Sequence, residues 1–466
     1  MQALPRPAIV LLAALAPMLG CEPTVKAPPP TPPISVALFD PLATPAVVPT
    51  PNDLAFTGGD GIHLNPPDTP GESAAQASLN AYLRRLNGFP ASSTPTTSFS
   101  APLDPASVTL MTAMGAGSVI LVDTTIGMLV GSGMATVSSD GKTLEIVPST
   151  PFTAGHRYAV VLFGGTDPLG LRGAMGEEVI ASPSFYFLRS PNPLLARCGD
   201  PNNPACACPA EAINDPADTT CHSIVLGLSD AAAHQAEPQR RQLQAALGQL
   251  LPLVAPGRDQ NNVVLFWTFT ISTQPFTIFD PTTGNIPFPN DLLIDQTTHR
   301  VNLPITPGDP LAATKMNLNT LDGFSVSAPE TIGVEGPAPV DKATLVANRS
   351  VFFISLGPQT PQPEYALTTA FGQIVLVPTM PLISDQDRYA VVVTNGVADA
   401  SGQALLPPVP VWLTTGPDPL FDGTHSTVSA LSDAQAQQLE ALRMADQPLV
   451  QQLAALGVPR EAIAGL

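Results

Sequence analysis

The chain carries the same run of motifs twice, and that duplication bounds every other reading of it. FDPLATPAVVPTPNDLAF, from Phe39, returns as FDPTTGNIPFPNDLLI, from Phe279. SLNAYLRRLNGF, ending at Phe89, returns as NLNTLDGF, ending at Phe324, with four fewer residues between LN and the closing motif, about one helical turn. LEIVPSTPFTAGHRYAVVLFGGTDPLG, from Leu144, matches IVLVPTMPLISDQDRYAVVVTNGVADASG, from Ile374. LSDAAAHQAEPQRRQL, from Leu228, matches LSDAQAQQLEALRMAD, from Leu431. The offset is 240 at Phe39 and Phe279, 231 at Arg157 and Arg388, and 203 at Leu228 and Leu431. The last drop, of 28 residues, falls on a cysteine-bearing stretch at 193–222, which is therefore an insertion in the first copy. Copy one is residues 34–275 and copy two is residues 276–466.

Each copy opens with a turn-rich FDP…PNDL segment, continues as short strands and closes in a helical stretch. Fifty-five prolines and 35 glycines fit short strands joined by many turns, not long helices or an α/β barrel. In copy one, strands are expected near Val108–Leu110, Ser118–Asp123, Thr143–Val147, Arg157–Phe163 and Pro183–Leu188. Copy two has them near Ser350–Leu356, Gln373–Val377, Arg388–Thr394 and Pro410–Thr414. Alternation such as Thr143-Leu144-Glu145-Ile146 marks half-buried strands of a sandwich. Leu228–Leu253 and Leu431–Leu456 have helical spacing, with Ser229 and Ser432 as N-caps and breaks expected near Pro238 and Pro448. The fold class is mainly β: tandem sandwich units at about 92–192 and 325–417, with helical hairpins at about 228–256 and 429–458. Copy two ends at Leu466, where the counterpart of the strand-like DQNNVVLFWTFTIST (Asp259–Thr273) should begin, so that strand is expected to be missing.

The start of the chain predicts export. Arg6 precedes an apolar run, Ala8–Leu19, too short to span a bilayer, which needs about 20 residues, and right for a signal-peptide core. Met18-Leu19-Gly20-Cys21 resembles a bacterial lipobox, implying that residues 1–20 are removed and Cys21 is acylated. Residues 21–33 then form a proline-rich tether. Cys198, Cys206, Cys208 and Cys221 lie in a loop with little to bury, where two disulfides would act as staples. Three pairings are open; a Cys206–Cys208 bond would be strained, so each should bond outward. Zinc is the rival ligand, but the spacing lacks two C-x-x-C knuckles.

Two resemblances add to this reading. SFSAPLDPASV from Ser98, the PFTAGHRYAVVL corner and TDPLG from Thr166 resemble bacterial Ig-like domains of the S-layer (SbsA-like) type. The resemblance makes Tyr158 and Tyr389 corner tyrosines, whose hydroxyls tie a turn to nearby backbone. Copy two reads ETIGVEGPAPVDKATL where copy one has the PLDPASV signature, which is lost there. The larger unit is similar to the non-catalytic N-terminal region of bacterial surface lipases of the virulence-factor type, which are lipoproteins. In those lipases an α/β-hydrolase domain follows.

Catalytic patterns are scarce. The chain contains no G-x-S-x-G, H-E-x-x-H, P-loop or G-x-G-x-x-G. His63, His156, His222, His234, His299 and His425 fall on different segments, and His156 reads as a turn residue. A net charge of −19 opposes binding to nucleic acid. Calcium is a further candidate ion, with Asp40, Asn52, Asp53, Asp280, Asn290 and Asp291 as its ligands, although ordinary turns explain these residues better. Gly88 and Gly323 are expected to supply left-handed backbone.

The sequence therefore describes a non-enzymatic envelope lipoprotein with no cofactor, lipid-anchored at the outer membrane on its periplasmic or outer face. Its ligand would be a glycan, the cell wall or a protein. The alternative is an accessory front part of a surface lipase or esterase. If the cysteines are paired, a reducing agent should lower the melting temperature of copy one and leave that of copy two unchanged, measured on each copy by calorimetry; equal shifts would contradict the pairing.

Overall fold

The computed structural model describes residues 34–466, apart from 42, 44–45, 114, 199–202, 216–217, 282–283, 296, 306–308, 358–360 and 384–387. The segments expected to be signal peptide and tether, with Cys21, lie outside the described residues. Copy one runs β1 (Ser35–Ala37), α1 (Ala74–Leu83), β2 (Thr96–Ser98), β3 (Val119–Asp123), β4 (Met128–Leu129), β5 (Gly133–Val137), β6 (Thr143–Pro148), β7 (Arg157–Phe163), β8 (Val179–Ala181) and α2 (Pro183–Leu188). The insertion contributes β9 (Leu195–Ala196), α3 (Ala210–Asn214) and β10 (His222–Ser223), before α4 (Asp230–Val254) and β11 (Val263–Thr270). Copy two runs β12 (Phe276–Thr277), α5 (Ala312–Leu318), β13 (Glu330–Glu335), β14 (Val351–Ser355), β15 (Tyr365–Ala370), β16 (Gln373–Pro378), β17 (Tyr389–Thr394), α6 (Val409–Thr414), α7 (Asp433–Ala455) and β18 (Ile463–Gly465).

The duplication is visible in the sheets. Copy one has the orders β11-β7-β3-β4 and β2-β6-β5; copy two has β18-β17-β14 and β12-β13-β16-β15. In each copy the two small sheets share one apolar core. Leu144 and Ile146 of β6 pack with Val119, Leu121, Val160 and Leu162 of the facing sheet. Ile374 and Leu376 of β16 do the same with Val351, Phe353 and Val393. β7 is a seven-residue strand, RYAVVLF, buried from Tyr158 to Phe163 because it is the middle strand of its sheet.

Several expectations need correction. Pro183–Leu188 and Pro410–Thr414 are helical, not extended. Ser182 caps α2 by accepting the Phe185 N–H at 3.3 Å, and Pro183 sits in the first turn, where its missing N–H costs nothing. Val108–Leu110 is not a strand: Val108 ends a short 3-10 turn and Leu110 makes one isolated bridge to Val119. The helical hairpins are single helices of 25 and 23 residues that run through Pro238 and Pro448. Ala233, Leu247, Leu251 and Val254 are buried on either side of Pro238, so packing outweighs the lost backbone hydrogen bond. Ser229 and Ser432 are their N-caps, Ser432 with a complete capping box.

The last strand of copy two is present as well. Ile463–Gly465 pairs antiparallel with Val393 and Thr394, the place β11 takes beside β7. The PLDPASV signature also has its counterpart, in PVDKATL. Asp341 caps a 3-10 turn by accepting the Ala343 N–H at 2.9 Å, as Asp104 does for Ala106 at 3.0 Å. Ser350 Oγ donates to Thr344 O at 2.6 Å, as Ser118 Oγ does to Ser107 O.

The copies are joined by a mixed cluster. Leu64, Ala75, Leu79, Tyr82 and Leu86 of copy one are buried with Phe276, Leu406, Trp412, Leu413, Leu420 and Val428 of copy two. Tyr82 stacks on Trp412 with ring centroids 4.6 Å apart, and its hydroxyl donates to Pro407 O. Arg460 covers the Trp412 ring at 4.1 Å. Beside this cluster the chain leaving β11 folds back onto the Asn87-Gly88-Phe89 segment, with Phe89 N–H donating to Thr270 O and Ser272 N–H to Phe89 O.

Neither Gly88 nor Gly323 has a positive φ, so that expectation fails. Gly88 is needed for close approach: a Cβ there would lie 2.6 Å from Ser272 N, whereas one at Gly323 would meet nothing within 4 Å. Gly88→Ala is expected to cost about 1–3 kcal/mol in urea unfolding. Gly323→Ala should stay within about 0.5 kcal/mol of the parent.

Candidate functional site

The cysteines pair as Cys198–Cys206 and Cys208–Cys221, with Cα separations of 5.2 and 6.0 Å. Cys206 and Cys208 thus bond outward to different partners. Cys208 and Cys221 are buried with Leu194, Leu195, Ala212, Ile213 and Ala233, so the loop has a small core of its own against α4. The Tyr158 hydroxyl accepts the Thr153 N–H at 2.9 Å, and the Tyr389 hydroxyl accepts the Ile383 N–H at 3.1 Å.

The calcium candidates are engaged elsewhere or apart. Asn52 Oδ1 accepts the Leu54 N–H and Asn290 Oδ1 the Leu292 N–H, both at 2.9 Å. Asp53 pairs with Arg157, and Asp291 with Arg388, each at 2.7 Å. Asp40 and Asp280 stand in isolated bridges with Val47 and Asn285. Among the described residues no group of three His, Cys, Asp or Glu side chains is placed to hold a metal ion.

Four imidazoles face carboxylates: His63 with Asp60, His156 with Asp123, His222 with Asp230, and His425 with Asp433, at 2.7, 2.7, 2.9 and 3.2 Å. The last two recur at one repeat position, beside the N-terminus of the long helix, and hold a turn. His156–Asp123 has the aspartate buried, as in the supporting half of a hydrolase triad, yet no hydroxyl or thiol is hydrogen-bonded to the other ring nitrogen among the described residues. His234 is buried against Ile213 O and Cys221 O.

Deeply placed charge also serves architecture. Glu237 is fully buried and accepts from Arg240 Nε and Nη2, each at 2.7 Å, and from the Leu194 N–H at 2.9 Å. Copy two repeats this with Glu440, Arg443 and the Leu420 N–H at 2.8 Å. Two clefts, of about 320 and 410 Å³, lie beside the segments that follow α4 and α7, the first lined mainly by the end of α4 and the second mainly by residues near Ser350 and Thr394. They border Gly257-Arg258 and Gly457-Val458. Among the described residues no helix is long and apolar enough to cross a membrane.

No described protein family matches this chain, and no curated protein does. Among solved structures, similarity is found to the N-terminal part of the bacterial S-layer protein SbsC, at 20% identity over 20% of this chain and 19% of that one, with a TM-score of 0.15. Domains 1–6 of the surface layer protein SbsC match at 18% identity over 19% and 12%, again at 0.15. The S-layer protein rSbsC(31-844) matches at 8% identity over 67% and 56%, at 0.14. The chain thus spans about a fifth or less of the first two proteins it matches.

One buried acid gives the joint between the copies a pH response. Glu335 on β13 is 8% exposed; its Oε1 accepts from Ser92 Oγ of copy one at 3.1 Å, and its Oε2 has no partner. Burial pushes its pKa from 4.5 up to about 7. Because the folded value lies above the unfolded one, this contribution is whole below pH 4.5 and is lost as pH rises to about 7. Glu335→Gln should leave stability unchanged near pH 4 and raise it by on the order of 2–3 kcal/mol at pH 8, in urea titrations at both pH values.

Proposed function

We propose that this chain is a non-catalytic envelope lipoprotein, anchored through Cys21, whose two units are Ig-like sandwiches acting in surface binding or envelope structure. The observation that carries the reading is the joint between the copies. A buried aromatic stack, Tyr82 on Trp412, lies between the two units, which suits a rigid spacer or display body. The two disulfides support an oxidising compartment. The corner hydrogen bonds of Tyr158 and Tyr389, and the paired sheets sharing one core, support the sandwich assignment. The surfaces offered to a glycan, cell-wall polymer or protein are the loops and outer faces of the sheets.

The test is made in the native host. An alkyne fatty acid should label the parent, and Cys21→Ser should abolish labelling and release the protein from membranes. The purified chain should not hydrolyse a short-chain nitrophenyl ester. Turnover lost on fluorophosphonate treatment would overturn the non-catalytic reading in favour of a surface esterase, and an unlabelled parent would overturn the anchor.

A further inference from the structure

The cysteine-rich insertion occupies in copy one the position that the helix of copy one occupies on copy two. The shared Glu–Arg pair and its backbone bond register Leu194 with Leu420. The same correspondence places Phe187 with Leu413, Val225 with Val428, Leu228 with Leu431 and Ala236 with Leu439. In copy two, every one of these positions packs in the cluster built around α1 and Tyr82. In copy one, every one packs in the cluster built around Ala212, Ile213, Cys208 and Cys221 of the insertion. His234 adds polar anchorage, facing Ile213 O at 3.4 Å and Cys221 O at 3.2 Å.

The complementary face is open on copy two. Leu86, 1% exposed, closes the α1 side of the joint; its counterpart Leu321, three residues past α5, is 45% exposed. Leu318, the counterpart of the buried Leu79, is also exposed, as is Leu311 seven positions before it. α5 is one turn shorter than α1 and has no buried residue. Each copy therefore has a receiving side and a helix side, the helix side of copy two keeping the counterparts of Leu79 and Leu86 but not of Tyr82. Copy two leaves the helix side bare, and the insertion covers the receiving side of copy one.

We propose that the disulfide-stapled insertion is a plug that prevents head-to-tail association of this protein with a second copy of itself. The contact it blocks would seat the α5 face of one molecule on the α2–α4 face of copy one of the next, repeating the α1–α6 joint between chains. Such a contact is heterologous and does not close, so an unplugged chain would extend into open strings. Terminal caps of this kind are what tandem arrays need to stay discrete. The occupant is argued from the internal joint, which is an example of the same two faces already mated.

The test replaces residues 195–221 by Phe-Asp-Gly-Thr, the connection copy two uses at 421–424. By light scattering, the parent should remain a monomer across a hundredfold concentration range. The unplugged chain should rise in mass to dimers and beyond, and Leu318→Asp with Leu321→Asp in that chain should return it to monomer. An unplugged, folded chain that stays monomeric overturns the proposal. So does association that the two aspartates leave untouched, or a parent that already associates through Leu321. Should the replacement fail to fold, the full chain treated with dithiothreitol serves. Hydrogen exchange should then rise at 225–236, with association that Leu318→Asp and Leu321→Asp abolish; exposure without such association overturns the plug.

Discussion

The stack of Tyr82 on Trp412, with Arg460 over the outer indole face, is the contact on which the arrangement of the two copies depends. Two units joined only by a chain would move independently. Here the helix side of one unit is buried in the receiving side of the other. Trp412 Nε1 donates to Ser78 O at 3.3 Å and Ser73 Oγ donates to Thr427 O at 2.6 Å, so the polar rim of the aromatic contact is satisfied as well. A shared apolar cluster with a hydrogen-bonded margin makes the duplicated chain one compact unit over residues 34–466.

Both copies solve the same local problems with the same residues. A carboxylate reaches from the opening segment to the corner arginine in each, Asp53 to Arg157 and Asp291 to Arg388. A glutamate buried or nearly so in the long helix holds the chain entering from the short helix, through Leu194 N–H or Leu420 N–H. The copies differ where each meets its neighbour: at Gly88 against Gly323, at Leu86 against Leu321, and at the insertion.

The middle strands were legible because they are buried on a simple pattern. RYAVVLF and RYAVVV read as strands, and Ser229 and Ser432 as caps, since these signals are local. The short helices α2 and α6 were misread because their apolar runs also suit a strand; Ser182-Pro183 was the missed local start signal for the first. Pro238 and Pro448 suggested breaks because local propensity does not register the cores on either side. The disulfide partners and the covering role of the insertion lie beyond sequence inspection. Both are set by which surface of copy one the loop reaches, and that surface exists only in the fold.

The pairing of β1 has a mechanical consequence. Its three residues lie parallel to β8, in register from Ser35 with Val179 to Ala37 with Ala181, and both Ser35 and Ala37 are fully buried. A pull at Ile34 directed along the strand axis would load the β1–β8 hydrogen bonds together in shear instead of peeling them one at a time. Ser100 on the other side of β1 shares the load, its Oγ accepting the Val36 N–H at 2.9 Å and its own N–H donating to Val36 O. Tension applied at the N-terminal end therefore enters the body through its core, which lets a chain held from that end carry force without unravelling from it.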